Sequence, residues 1–574
     1  MAFLGLYLKD GEEVDNVLGM LESLSSEERR NVEKAIPSRV YEKLVEQAPK
    51  TLSEINGGSQ SQERDESPDQ EPRFLGLSSG FENPFHSSVR GLHMNHQVSD
   101  FAECRKLIDP AKPMDLLDIY FAYFHPSYPM VDKRDIVKTA MTETSNISSG
   151  KNCLLWTVLL YGWNLTELAK PHPDSKIVQL MQQLTMCGLK SRHSIETVQS
   201  LLLQAMFFWG KQYWSNAYML VGDAVRMGID LGLHLSNVAS PSIARRTWKC
   251  CCMLDSLVSG RLGRRPQVTI MDYIDAMEPE DSEEEWGLWS PPVERCSSQP
   301  FEATQRYVAE PGRFVSAFNV NYAINKIANK YINRVNTNEM EDEVIKSELL
   351  KSTAIELKEW KDNLPSHLNL EAYMNTDFEA CQSIQLLPHV VNLYFGYVSV
   401  CHLLHIVDTN FSLEGIIPSY DAAIDLARKT MYSFFSRVSP RKALPTFEYF
   451  LSLSMTVCLK MGVEIQGLAD PLYNNERFNE LLGYLKSCSE AWNGALISYN
   501  YWIKVQQSKG MDRGNSTSNS EITNSNSKNY VPYVFSSLQE FDGFPDLDSF
   551  SPILGTGRSC IGAMIESLEQ GGTF

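Results

Sequence analysis

Apolar residues recur at three- and four-residue spacing over most of the chain between residues 113 and 507, the period of a helix with a buried face. The sharpest case follows Ser194. Ile195, Val198, Leu201, Leu202, Ala205 and Phe208 share one face, Ser194 is placed as an N-cap, Glu196 puts negative charge in the first turn, and Gly210 ends the run. A second helix is predicted from about Tyr213 to Leu231, with Ala217, Leu220, Val221, Ala224 and Met227 inward and Gly232 as a left-handed stop. A third opens after Pro241, carries Arg245, Arg246, Trp248, Cys252, Leu254 and Asp255, and stops at Gly260. Upstream, Tyr120, Phe121, Phe124 and Tyr128 form an aromatic stripe at helical spacing, which reads as core. Further helices are predicted at 154–163, 177–189, from Val315, and at 343–364, 380–407, 418–437, 445–468 and 477–505. No stretch keeps the two-residue alternation of a strand. The expected fold is all-α, a large multi-helix bundle with disordered linkers and tail.

Composition divides the chain further. Residues 1–50 read as a short N-terminal helical segment, with an apolar stripe at Val14, Leu18, Leu21 and Leu24 too short for a coiled coil. Residues 51–112 are rich in Ser, Gln, Glu, Gly and Pro and read as a disordered linker. The body falls into 113–290 and a helical continuation, 291–507. Residues 508–530 form a Ser/Asn-rich linker. In the tail, 531–574, Phe541, Phe544, Leu547 and Phe550 recur every three residues with Glu540, Asp542, Asp546 and Asp548 among them, the composition of an acidic activation segment that binds partners.

Charge limits what this chain does. It has 574 residues, 52 Lys and Arg against 71 Asp and Glu, and a formal net charge of −19. No run of five or more basic residues offsets that field, so direct DNA contact is not expected from this chain alone. The acidic run 280–285 reads as a solvated surface loop, as charge runs mostly are. The 12 cysteines are scattered apart from the triplet Cys250-Cys251-Cys252, and no Cys-x-x-Cys pair occurs. That usage fits small buried groups in a reducing compartment. The first eight residues lack a basic leader and a cleavage site. The uncharged run 380–407 contains Pro388, His389, Asn392, His402 and His405, too polar for lipid, and is expected to be a buried helix rather than a membrane span.

Candidate chemistry is sparse. Nucleophile-elbow, His-Glu-x-x-His and phosphate-loop patterns are missing, so no catalytic residue and no cofactor is assigned. Cys401, His402 and His405, with Cys381 or His389, could ligate zinc, but hydrogen-bonded core residues are the preferred reading, leaving no metal site. Asp255 on a mostly apolar face is expected to pair with Arg226, Arg245 or Arg264.

Read in order, Gly222-Asp-Ala-Val-Arg226-Met227, Leu231-Gly232-Leu233-His234, Arg245-Arg246-Thr-Trp248, Leu254-Asp255 and Gly263-Arg264-Arg265-Pro266 resemble the fungal-specific transcription factor domain, the middle homology region of fungal binuclear zinc-cluster regulators. Leu116-Leu117-Asp118-Ile-Tyr120-Phe121 with His125-Pro126 upstream, and Asp272, Asp275 and Pro279 downstream, agree. The resemblance covers about residues 113–290. It departs at the second arginine before Pro266, where the family pattern is Gly-Arg-Pro, and in lacking the N-terminal zinc cluster. It implies a nuclear transcription regulator, not an enzyme, controlling a metabolic or biosynthetic gene set. Implied partners are other transcription regulators or co-activators, a small-molecule effector and a second copy in a dimer, with no membrane. Gly222, Arg226, Gly232, His234, Arg245, Arg246, Trp248, Asp255, Gly263, Arg264 and Pro266 are implied to be structural. Two other readings stay open: a gene whose upstream zinc cluster is missing from this sequence, and a small-molecule-binding helical protein or enzyme.

Overall fold

Local sequence sets the helix ends, and burial sets how the helices pack. The computed structural model describes residues 101–508, except 110, 143–148, 170–174, 191–192, 238, 293–305, 338–341, 409–412, 414 and 465–470, together with two short pieces upstream. Those pieces, β1 (Arg73–Phe74) and β2 (Phe85–His86), pair antiparallel. The reading of residues 1–50, and the whole tail with Phe541, Phe544, Leu547 and Phe550, lie outside the described residues.

The described fold is all-α, as the periodicity predicts. Its first half comprises α1 (Ala102–Ile108), α2 (Pro113–Tyr123), α3 (Lys133–Met141), α4 (Ser149–Asn164), α5 (Lys176–Lys190), α6 (Ile195–Gly210), α7 (Trp214–Asp230) and α8 (Ser242–Arg261). After a four-residue helix, α9 (Glu283–Trp286), a two-residue ladder joins β3 (Leu288–Trp289) to β4 (Glu310–Pro311). The second half is α10 (Phe314–Val335), α11 (Glu343–Asp362), α12 (Leu370–Met374), α13 (Pro388–Val407), α14 (Tyr420–Phe435), α15 (Phe447–Glu464), α16 (Pro471–Cys488) and α17 (Asn493–Ser508).

Two helices form the centre. In α6 every residue from Thr197 to Gly210 is buried, so the helix is enclosed on all sides and not on one face alone. Ser194 Oγ accepts the Thr197 amide at 3.3 Å and closes the N-terminus. Polar residues of α6 bond inside the core: Gln204 Nε2 donates to Thr157 of α4 at 3.0 Å and to Ser200 at 2.9 Å. The second central helix, α13, is the one described helix long and apolar enough to cross a membrane, and it is mostly buried inside the protein. It begins at Pro388, eight residues later than the apolar run suggests. Proline suits the first helical turn and holds Leu387 extended (φ −72°, ψ 151°), while Ala380–Ser383 forms only a 3-10 turn.

Two further expectations are corrected. Residues 102–108, assigned to the linker by composition, are helical, and Phe101 at their start stacks on Trp156 with centroids 5.6 Å apart. The single helix predicted over 477–505 is two, α16 and α17. The break brings Trp492 inward, where its indole donates to Ala443 O at 2.7 Å and lies against Gly210. A Cβ on Gly210 would fall 2.0 Å from that ring, so only glycine fits there.

Beyond Gly210 lies Lys211, fully buried. Its ammonium donates to Ala491 O at 3.0 Å and sits 5.6 Å from the Phe207 and Trp492 rings. Among the described residues no carboxylate pairs with it. Burial, with Arg441 adding repulsion, pulls its pKa down to about 7. Gln212 then takes a left-handed turn (φ 74°) into α7. One apolar core runs continuously from Cys104 to Trp502, through both halves.

Candidate functional site

The signature residues sit on α7, α8 and the arm that follows, 263–279. The stop predicted at Gly232 holds, while the third helix, expected to stop at Gly260, runs on to Arg261 and is ended by Gly263. Gly232 is left-handed (φ 71°) and its amide returns to Ile229 O at 2.9 Å. Gly263 (φ 61°) ends α8, with its amide on Gly260 O at 3.2 Å and the Arg264 amide on Ser259 O at 2.8 Å, the paired bonds of a Schellman motif. The extra Arg265 is accommodated without cost to that turn, since it is exposed while Pro266 is buried.

Two fastenings lay the arm back along α8. Asp255 accepts the Val268 amide at 2.8 Å. Trp248 donates its indole N–H to Asp272 O at 2.8 Å, and His234 packs on that indole with centroids 5.8 Å apart. Asp272 in turn accepts the Thr269 amide at 2.6 Å. The expected ion pair of Asp255 is therefore corrected. Its partners are backbone amides, and burial raises its carboxyl pKa to about 6 against their opposing effect. The three arginines lie elsewhere: Arg226 on Asp223 at 3.3 Å, Arg264 over the Tyr218 ring at 4.7 Å, and Arg245 on Glu278. Gly222 faces Gln267 of the arm, whose Oε1 lies 3.5 Å from where a Cβ would stand.

The arm delivers Glu278 onto α8, and this junction is the most charged point of the interior. Arg245, Arg246 and Lys249, at i, i+1 and i+4, point the same way. The Glu278 side chain is 0% exposed and accepts from Arg245 Nη2 at 2.9 Å, Arg245 Nε at 3.2 Å, Lys249 Nζ at 3.1 Å and Ser242 Oγ at 2.7 Å. Its backbone is clamped on both sides by Asn319 of α10, at 3.0 and 2.9 Å. Lys249 also donates to Ala276 O at 2.5 Å and faces the Tyr322 ring at 5.2 Å. Arg246 continues the chain of charge to Glu284, which His125 Nε2 meets at 3.2 Å.

Electrostatics follow from burial and partners. Burial lowers the pKa of Lys249, with Glu278 opposing. For Glu278 burial acts upward, but Arg245, Lys249 and Ser242 outweigh it and its pKa falls. Burial likewise acts upward on Glu284, and the His125 and Arg246 contacts hold it at about 2. Burial lowers the pKa of His125, with the Glu284 contact opposing.

The acidic run 280–285 is thus not a plain solvated loop. Glu280, Asp281 and Glu283 are exposed, but Glu284 joins the cluster and Glu285 is buried. The Glu285 carboxylate accepts the amides of Val315 at 3.1 Å and Ser316 at 3.0 Å, capping the positive end of α10. Sequence reasoning missed Glu278, Glu284, Glu285 and Lys249. The available signal was a basic triad on a helix otherwise built for burial, which demands carboxylates nearby.

The candidate zinc ligands do not assemble. Among the described residues no group of three or more His, Cys, Asp or Glu gathers at metal-binding spacing. His405 Nε2 meets Pro418 O at 3.0 Å, His389 packs edge-on to Phe314, and Cys381 donates to Phe378 O at 2.7 Å. The core reading is incomplete for His402, which is buried with neither ring nitrogen hydrogen-bonded. The cysteine triplet is buried, and burial raises each thiol pKa, leaving inert packing groups.

The signature residues hold the arm on the helical body, with buried charge as one fastening. Residues 117–362 match the fungal specific transcription factor domain. Its relatives carry names of regulators. It is similar to the quinic acid utilization activator of Emericella nidulans, 24% identical over 61% of this chain and 44% of the relative. It is also similar to the transcription factor qa-1f of Neurospora crassa, 24% identical over 38% of this chain and 30% of the relative. The acetamidase regulatory protein of Aspergillus oryzae is 26% identical over 31% of this chain and 24% of the relative. The chain spans less than half the length of these relatives. No solved structure matches it.

Proposed function

We propose that this protein is a nuclear transcription regulator of a metabolic gene set, acting through its helical body and through partner proteins. The observation that carries the reading is the match over residues 117–362, which contains every signature residue that fastens the arm. The names of the relatives, regulators of quinic acid utilization and of acetamidase, support a metabolic target set. Under this reading the body between 113 and 507 is the regulatory module, and the acidic-aromatic segment 538–550 recruits transcription machinery. A surface of net charge −19 repels a phosphate backbone, so contact with DNA is supplied by a partner.

A reporter assay tests it. The full chain, fused to an unrelated DNA-binding domain, should change reporter output at least tenfold, and removal of 538–550 should abolish the change. A fusion that leaves the reporter untouched in cells where it accumulates would sink the proposal. Sequence-specific mobility shift by the pure chain would refute the need for a DNA-binding partner.

A further inference from the structure

One seam of the interior is lined by amides where packing alone would favour hydrocarbon. α13 brings Asn392, Gly396 and Ser399 to it, and α10 brings Asn321 and Asn325. Each set is spaced at the three- and four-residue steps that share one helix face. Together with Tyr128 they line a cavity of about 20 Å3, and among the described residues no charged side chain reaches it. Three oxygens of the lining residues are buried without a protein partner: the Tyr128 hydroxyl, Asn325 Oδ1 and Asn392 Oδ1. Their residues are 0%, 6% and 3% exposed. A buried oxygen left unpaired is costly, so a lining of this kind calls for an occupant.

Gly396 points the same way. It stands in the interior of the twenty-residue α13, where alanine would favour the helix. Its backbone is not left-handed. A Cβ there would come no closer than 3.5 Å to Asn321 Oδ1 and 3.7 Å to Ile324 Cγ2, both ordinary contacts. Neither clearance nor backbone angle demands glycine. What glycine supplies is the space between the Asn321 carboxamide and α13.

We propose that this cavity is a binding site for one buried water molecule, shared by Tyr128, Asn325 and Asn392. Size selects the occupant, since a water needs on the order of 10–15 Å3 and a sugar- or acid-sized molecule far more. Bonding selects it too. Water donates to the two carboxamide oxygens and accepts from the Tyr128 hydroxyl, three bonds in all, the usual number for a buried water. A cation is not served, because no carboxylate is there to balance it. Tyr128 and Asn325 belong to the stretch 117–362 and Asn392 lies beyond it, so the water joins the matched region to its continuation.

The test is thermal unfolding of the full chain with Gly396→Ala and with Gly396→Ser. In a dry cavity the alanine variant gains helix propensity and melts higher than the native chain. Where its methyl displaces the water, the three oxygens lose their partner and the melting temperature falls, by roughly 1–3 °C. Serine fills the same space, but its hydroxyl bonds in the water's place, so Gly396→Ser is expected to melt above Gly396→Ala although serine is the poorer helix former. Simple overpacking gives the opposite order, because serine is the larger side chain. A high-resolution crystal structure of the native chain reads the site directly, with an ordered solvent peak expected at hydrogen-bond distance from at least two of the three oxygens. A cavity without that peak, an alanine variant that melts at or above the native chain, or a serine variant no better than alanine would overturn the proposal.

Discussion

At the scale of single residues, burial separates charges that matter from charges that do not. Glu278 holds Arg245 and Lys249 with no access to water, so Glu278→Gln leaves two buried cations undercompensated. The expected loss is about 3–5 kcal/mol in urea denaturation. The neighbouring Asp275–Lys326 pair is as short, 2.8 Å, but Asp275 is 88% exposed, and Asp275→Ala should cost under about 1 kcal/mol. Equal losses from both variants would refute a buried clamp at Glu278. Lys211 gives a second residue-level prediction, in pH. Its folded pKa of about 7 lies below its ordinary 10.5. Between those values the unfolded chain binds a proton that the folded chain has released, so this residue makes stability rise with pH across that window. Below pH 7 both states are charged and the burial penalty is full. Urea midpoints at pH 7 and pH 9 should rise for the native chain relative to Lys211→Met, which lacks this contribution.

At the scale of elements, the joint between Gly210 and Trp492 fixes where α6 ends and where α16 gives way to α17. Gly210→Ala drives a methyl into an indole anchored on Ala443 O, an overpacking expected to cost about 1–3 kcal/mol or more. Thermal unfolding measures it, and a neutral substitution would show that the joint yields. The two ends of this joint were not equally legible in the sequence. Ser194 and Gly232 speak for themselves, because caps and left-handed stops are set by residues within one turn. The break before α17 was illegible, because a ring 282 positions from its partner glycine decides it. The same distinction runs through the site. The basic residues of α8 were visible, but their carboxylates lie 29–38 positions away in an acidic stretch that reads as solvated. Asp255 was misread because a backbone amide leaves no mark in sequence, so arginines looked like its natural partners.

At the scale of the molecule, the match to the family ends at Asp362, but the apolar core does not. Glu448 of α15 accepts from Trp209 at 3.1 Å, Arg261 at 3.0 Å and Ser498 at 2.9 Å, tying α6 and α8 to α15 and α17. Trp360 stacks on Tyr397 of α13 at 5.7 Å, and Tyr331 donates to Leu403 O at 3.1 Å. Cutting at 362 would strip partners from α6, α8, α10 and α11 together. It would leave Trp209 without its acceptor and Lys211 without its carbonyl, each a buried polar group newly unsatisfied. Residues 113–362 expressed alone are therefore expected to melt without a cooperative transition and to bind a hydrophobic dye. Residues 101–508 should unfold in one sharp calorimetric step with little dye bound. A cooperative 113–362 fragment would mean that the seam through Glu448 joins two independent domains, and the loss predicted for Gly210→Ala would then be confined to their interface.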